Sequence, residues 1–339
     1  MSGAGMENAT TTTTATPKTL SFACGVYDRT WPLAASVASV PGYELAWKHL
    51  PTEEIFLRGM LGGEFEIAEM SMSSYLLQCA RGDNLYQAIP AFVSRKFRHG
   101  SIYVRADAGI NTPEDLRGRK IGVPEYQLTA NVWARGLLSD EYGVRSNEIH
   151  WVIGGVEEPG RDEKIPVQLP ESFQSTRLEP GETLWGMMTA ARLDAIIAPR
   201  APRAFVEGDT RIRRLFADPV AAEKAYYKKT RLFPLMHVVG IRKDVIADDP
   251  ALAAGLLTAL EAGRRHALNR LHQSNVDTTM LPWLEAHVRE TEEVMGRDYW
   301  PYGTEANRHA IETLCRYALE QGVITKHMTV EDLFPLRLS

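Results

Sequence analysis

From residue 19 onward, short apolar runs alternate with helical patterns across short connections. That alternation restricts the chain to parallel-type sheets wrapped by crossover helices. The pattern predicts strands at 20–26, 43–50, 65–70, 86–93, 101–105, 120–123, 149–153, 194–198 and 235–241. Helices are predicted at 31–40, 52–61, 73–80, 128–142 and 184–191, and the chain is almost wholly helical from 250 to about 322. Thr112 and Pro113 mark one helix start, and Gly118 and Gly143 mark helix ends. Between 154 and 182, eight Gly and Pro residues break the rhythm, as in a functional loop. The 339 residues suffice for two units of ~150 residues. The reading is an α/β fold of two lobes: 18–107 with 240–339, and 108–239. The chain crosses between them near 105–110 and 236–242, the C-terminal helices return to the first lobe, and a ligand cleft lies at the hinge.

Thirty-eight basic and forty-three acidic residues leave a formal charge of −5, which argues against a nucleic-acid partner. No apolar run reaches the ~18 residues of a membrane span. Cys24, Cys79 and Cys315 form no C-x-x-C pair, so neither a disulfide framework nor a zinc ribbon is expected. Residues 1–17 are polar and Thr-rich, read as a disordered tail without secretory features, and a cytoplasmic location is expected. Nucleotide-loop, dinucleotide and G-x-S-x-G patterns are missing. The pairs His287/Glu290 and His309/Glu312 lack a third ligand at a telling spacing, so no metal is expected.

Ligands of α/β sheets collect beyond strand ends, where helix N-termini present free N–H groups. Four such places are polar here: Asp28–Arg29–Thr30, Ser71–Met72–Ser73–Ser74, Glu125–Tyr126–Gln127–Leu128–Thr129, and the stretch around Arg200. Ser71, Ser73 and Thr129 equally suit plain helix caps. From Arg200 to Lys243 eleven basic residues face four acidic ones, and Arg95–Lys96–Phe97–Arg98–His99 adds a second basic cluster, as a small-anion site requires. His237 sits inside an apolar strand at the return crossing, where it is either a core residue or a titrating group.

The segment Thr112–Pro113–Glu114–Asp115–Leu116–Arg117–Gly118–Arg119–Lys120–Ile121–Gly122–Val123 resembles the lobe-crossing stretch of type II periplasmic binding proteins. Four further segments resemble the 4,5-dihydroxyphthalate decarboxylases, a bacterial family on that fold. They are Tyr27–Asp28–Arg29–Thr30, Phe97–Arg98–His99–Gly100, Pro234–Leu235–Met236–His237–Val238, and Trp300–Pro301–Tyr302–Gly303 with Glu305, Asn307 and Arg308. The likeness runs from about residue 18 to the end. It implies conversion of an aromatic dicarboxylate, 4,5-dihydroxyphthalate, to protocatechuate and CO₂ in phthalate catabolism, with no organic cofactor and in a homo-oligomer. Such chemistry needs a carboxylate clamp, a partner at the ring hydroxyls and an acid over the ring carbon. The expectation assigns Arg29, Arg98 and Arg200 to the carboxylates, with Ser73 and Thr129. His237 or Asp28 is the proton donor, and His99 or Tyr126 stands at the hydroxyls. Asp28 alternatively only orients Arg29. The rival readings are a non-catalytic receptor for an aromatic or sulfonated anion, and a biosynthetic enzyme on the same fold.

Overall fold

In a computed structural model, residues 16–338 are described except Ser274 and Asp277. The expected tail therefore falls almost entirely outside the described residues. Among the described residues, eleven strands form two sheets. In chain order they are β1 (Lys18–Ala23), β2 (Tyr43–Lys48), β3 (Ile67–Ser71), β4 (Tyr86–Arg95), β5 (Ile102–Arg105), β6 (Lys120–Val123), β7 (His150–Ile153), β8 (Gln174–Arg177), β9 (Ala195–Ile197), β10 (Ile212–Arg214) and β11 (Leu235–Arg242).

The first sheet runs β2-β1-β3-β11-β4 and the second β10-β5-β9-β6-β7-β8. Every residue of β3 is buried, Glu69 and Ser71 included, as in a strand covered on both faces. The sheets are mixed rather than parallel. β11 is antiparallel to both β3 and β4, and β5 is antiparallel to β9 and β10. Both departures come from strands that enter a sheet after the chain has crossed from the other one.

The crossings lie earlier than expected. β5 pairs in the second sheet, so the chain leaves the first sheet between Arg95 and Ile102; residues 235–239 pair in the first sheet. The two crossings touch: Lys96 N–H donates to Pro234 O at 3.1 Å, and Arg95 Nη1 to Phe233 O at 3.2 Å. The helix expected at 31–40 is a single turn, Trp31–Ala34. The one expected at 52–61 begins as Thr52–Ile55 and continues as a π-helical turn, Phe56–Leu61. Such turns often accompany functional sites.

The C-terminal helices divide their packing. Ala251–Leu271 lies on the first-sheet side, against Trp31–Ala34 and β4, whereas Arg308–Glu320 packs on Thr129–Tyr142, the helix that follows β6. There Gly136 admits the Tyr317 ring, to which a Cβ would lie only 2.1 Å away, and Tyr317 meets Trp133 edge-on. No described helix is long and apolar enough to cross a membrane.

Candidate active site

A cavity of about 690 Å³ opens where the two crossings meet, within the range of small-molecule sites. Of the expected site residues, His237, Arg98, Thr129 and Arg200 line it; so do Ser71, which lay in one of the polar strand-end positions, and Phe56, which sequence reasoning passed over as a site group.

His237 is positioned by an irregularity in the sheet. Along β11 its partners are Ser71 in β3 and Ser94 in β4, yet Val239 pairs with Ile89. Residues 90–93 therefore oppose Val238 alone and bulge out of the ladder, and Pro90 has no N–H to give it. The carbonyls freed by the bulge find donors in two motifs far apart in sequence. Gly303 N–H reaches Pro90 O at 2.8 Å, Trp300 Nε1 reaches Phe92 O at 2.8 Å, and Arg29 Nε reaches Val93 O at 2.7 Å. The Arg29 guanidinium is sandwiched 4.4 Å from the Tyr27 ring and 4.3 Å from Trp300.

Behind His237 lies Glu69, a fully buried carboxylate that the sequence reading missed. Its Oε1 accepts from His237 Nδ1 at 2.6 Å and from the Tyr27 hydroxyl at 2.8 Å. Oε2 accepts from Gly25 N–H at 2.8 Å and the Cys24 thiol at 3.4 Å. Burial alone would raise the Glu69 pKa. The His237 hydrogen bond and charge, with the Gly25 and Tyr27 donors, instead hold it below the ordinary carboxylate value. With Nδ1 engaged, Nε2 has no protein partner among the described residues, and Phe56 meets the ring edge-on at 5.0 Å. A carboxylate behind an imidazole fixes its tautomer and ring orientation, leaving the far nitrogen turned away from Glu69.

Because the Glu69 pKa is depressed in the fold, its stabilising contribution is complete above the unfolded value of ~4.3 and is lost as pH falls through the folded one. The melting-temperature gap between wild type and Glu69→Gln is therefore expected to hold steady above ~4.3 and shrink below it. A gap that stays constant down to acid pH removes the ionised carboxylate from this account.

Arg98 lies on the first crossing with 6% exposure. Its Nη2 and Nε approach the Met236 sulfur at 2.6 and 3.2 Å, and no carboxylate lies within ion-pair distance among the described residues. Burial pushes its pKa down to about 10, so the cation persists at neutral pH. Arg200, exposed at the cavity wall, likewise has no ion pair among the described residues. Thr129 begins a helix whose first residues, with Leu128 and Ala130, line this space.

Five expectations change with the geometry. Asp28 is exposed and paired with Arg29 at 2.9 Å, and Arg29 serves the β4 bulge, so neither reaches the cavity wall. Ser73 is wholly buried behind the wall. Its Oγ donates to Gln127 O at 2.5 Å and lies 2.9 Å from Thr129 Oγ1, tying the two sheets together. His99 is packed against Phe216 and Tyr226, and burial pushes its pKa down to about 4, leaving a neutral ring. Tyr126 is fully buried, donates to Gln321 O at 3.0 Å and lies under Arg135. The loop 154–182 does reach the site, contributing Arg161 and Lys164.

Four findings relate the chain to known proteins. Residues 25–159 match a family model described as an ABC transporter, phosphonate, periplasmic substrate-binding protein. The chain is 40% identical over 315 residues to a 4,5-dihydroxyphthalate decarboxylase of Comamonas testosteroni, covering 93% of this chain and 96% of that one. It is 43% identical over 209 residues to one of Pseudomonas putida, covering 62% and 81%. The crystal structure of the periplasmic aliphatic sulphonate binding protein of Escherichia coli superposes with a TM-score of 0.52 at 14% identity. The match covers 95% of this chain and 100% of that one, a likeness of fold.

Proposed function

The chain belongs to the 4,5-dihydroxyphthalate decarboxylase family. From that premise we propose that its interlobe cavity converts 4,5-dihydroxyphthalate to protocatechuate and CO₂ by protonating the ring. The observation carrying this reading is the Glu69–His237 pair set beside one cavity with a buried guanidinium, Arg98, that has no carboxylate at ion-pair distance among the described residues.

Direct loss of CO₂ from an aryl carboxylate leaves a localised ring anion. The hydroxyl para to the departing group opens another route. As that hydroxyl releases its proton to solvent, an oxygen electron pair moves through the ring to the carboxyl-bearing carbon, which takes a proton from His237 Nε2. The resulting dienone carries both hydrogen and carboxylate on one tetrahedral carbon. Cleavage of the carbon–carboxylate bond returns the pair through the ring to the oxygen, which regains a proton. One proton is consumed, one CO₂ leaves, and a dianion becomes a monoanion.

In this reading Arg98 grips the retained carboxylate, with Arg200 and the Thr129 helix start beside it. Glu69 keeps Nε2 aimed by holding Nδ1. The lobes, joined by the two adjacent crossings, close over the guest and strengthen these interactions by excluding water. The proposal extends to the cytoplasm, which free Cys24, Cys79 and Cys315 suit, to phthalate catabolism and to a homo-oligomer.

Incubation of the purified protein with 4,5-dihydroxyphthalate in D₂O is expected to yield one CO₂ per 3,4-dihydroxybenzoate, with deuterium at the vacated carbon. Binding without gas release would leave a solute receptor instead.

A further inference from the structure

The proposed chemistry needs a partner at the ring hydroxyls, and the two residues expected there, His99 and Tyr126, lie outside the cavity. The loop 154–182 supplies a different pair. Arg161 and Lys164 both line the cavity and both reach the fully buried Glu125. Lys164 Nζ lies 2.6 Å and Arg161 Nη2 2.7 Å from Glu125 Oε1. The other oxygen accepts from Lys164 N–H at 3.1 Å and Gln127 Nε2 at 3.2 Å. Arg161 Nη2 also reaches Glu53 Oε1, at 3.2 Å, on the opposite side of the cleft. Three residues after Glu53 comes Phe56, the ring that meets His237. Glu53, Phe56, Arg161, Lys164 and His237 all line the same cavity, so this cluster and the His237 wall face one guest space.

The cavity thus holds two kinds of cation. Arg98 and Arg200 lack carboxylate partners among the described residues and suit groups that carry full negative charge. Arg161 and Lys164 are offset by Glu125 and Glu53, and what they keep is N–H donors set beside carboxylate acceptors. That alternation suits a hydroxyl, which both donates and accepts and whose oxygen gains charge only as the reaction proceeds. Adjacent hydroxyls on a catechol call for two such donors.

We propose that Arg161 and Lys164, seated on Glu125, form the catechol-recognising pole of the cavity, and that Lys164 selects rings with a hydroxyl para to the departing carboxylate. This rests on the decarboxylase reading. Lys164 donates to the phenolic oxygen while that oxygen's proton leaves to solvent, and it stabilises the charge that returns when CO₂ departs.

The test is isothermal titration with two probes, phthalate and 4,5-dihydroxyphthalate, in a His237→Asn background so that the second survives. Adding Lys164→Met is expected to weaken the dihydroxylated ligand by ~10-fold or more, because a site built around a hydroxyl loses its discrimination when that hydrogen bond goes. Phthalate, lacking hydroxyls, is expected to bind within about two-fold of the background protein. Equal weakening of both ligands, or of neither, overturns the assignment. If Lys164→Met does not fold, Lys164→Gln is read the same way: a reduced preference for the hydroxylated ligand supports the assignment and an unchanged one overturns it. Wild-type protein that releases no CO₂ sinks the decarboxylase reading itself. Wild-type turnover with an undiminished preference in the Lys164 variant sinks only the catechol pole.

Discussion

Replacing His237 with asparagine is expected to lower the rate of CO₂ release by ~10²–10⁴-fold, the usual contribution of a positioned proton donor. That corresponds to about 3–5 kcal/mol of barrier. Affinity for the substrate is expected to stay within a few-fold, because the groups assigned to the carboxylates lie on other elements: Arg98 on the first crossing and Thr129 at a helix start. Asparagine is the informative replacement. Its amide keeps a donor for Glu69, so the fully buried carboxylate is not stripped of a partner and the fold is spared the associated penalty of ~1–3 kcal/mol or more. Single-turnover CO₂ release, with affinity measured by titration, separates the two quantities. A variant that turns over within ten-fold of wild type would falsify the assignment of His237 as the acid.

Exchanging Arg98 for methionine is expected to weaken dicarboxylate binding by ~10–150-fold, the equivalent of losing charge-assisted hydrogen bonds of ~1.5–3 kcal/mol. Thermal stability is expected to move the other way, or not at all. The guanidinium is buried with no carboxylate at ion-pair distance among the described residues, Glu223 acting on it only from farther off; its neighbour is the thioether of Met236, and a methionine in its place removes a desolvated charge while filling similar space. Loss of binding at equal or higher melting temperature identifies a group held in place for a guest, at the expense of the empty protein. Phthalate titration and a melting curve on the same preparation decide it: a large fall in melting temperature with unchanged affinity makes Arg98 a structural residue.

Short apolar runs disclosed the strands that are largely buried, such as β3, β4, β7 and β11, even where a polar residue such as Glu69 or His237 interrupts the run. They could not disclose β8, whose four residues Gln174–Arg177 are all exposed at a sheet edge and carry no apolar signal. Strand direction was equally illegible. The pattern of β11 is the same whether it runs with or against β3, and only the order of lobe crossings decides. Within the site, His237 was readable because a titratable ring in an apolar strand is unusual. The same argument applies to Glu69 in Phe65–Glu66–Ile67–Ala68–Glu69–Met70–Ser71, where a carboxylate in a buried strand demands a partner. Strand-end position identified Thr129 and Arg200 but misdirected His99 and Tyr126. Proximity in sequence to a strand terminus does not state which way a side chain turns, and both of these turned into aromatic packing.

The bulge at Pro90 ties the strand beside His237 to the order in which the polypeptide is made. Val93 O is met by Arg29, which a ribosome has delivered before it, but Pro90 O and Phe92 O wait for Gly303 and Trp300, made some 208 residues after Phe92 in the case of Trp300. Until those residues emerge, two peptide carbonyls of the strand paired with His237 lack their intramolecular donors. A nascent chain stopped before residue 300 would thus carry every group assigned to the cavity without the brace that sets that strand.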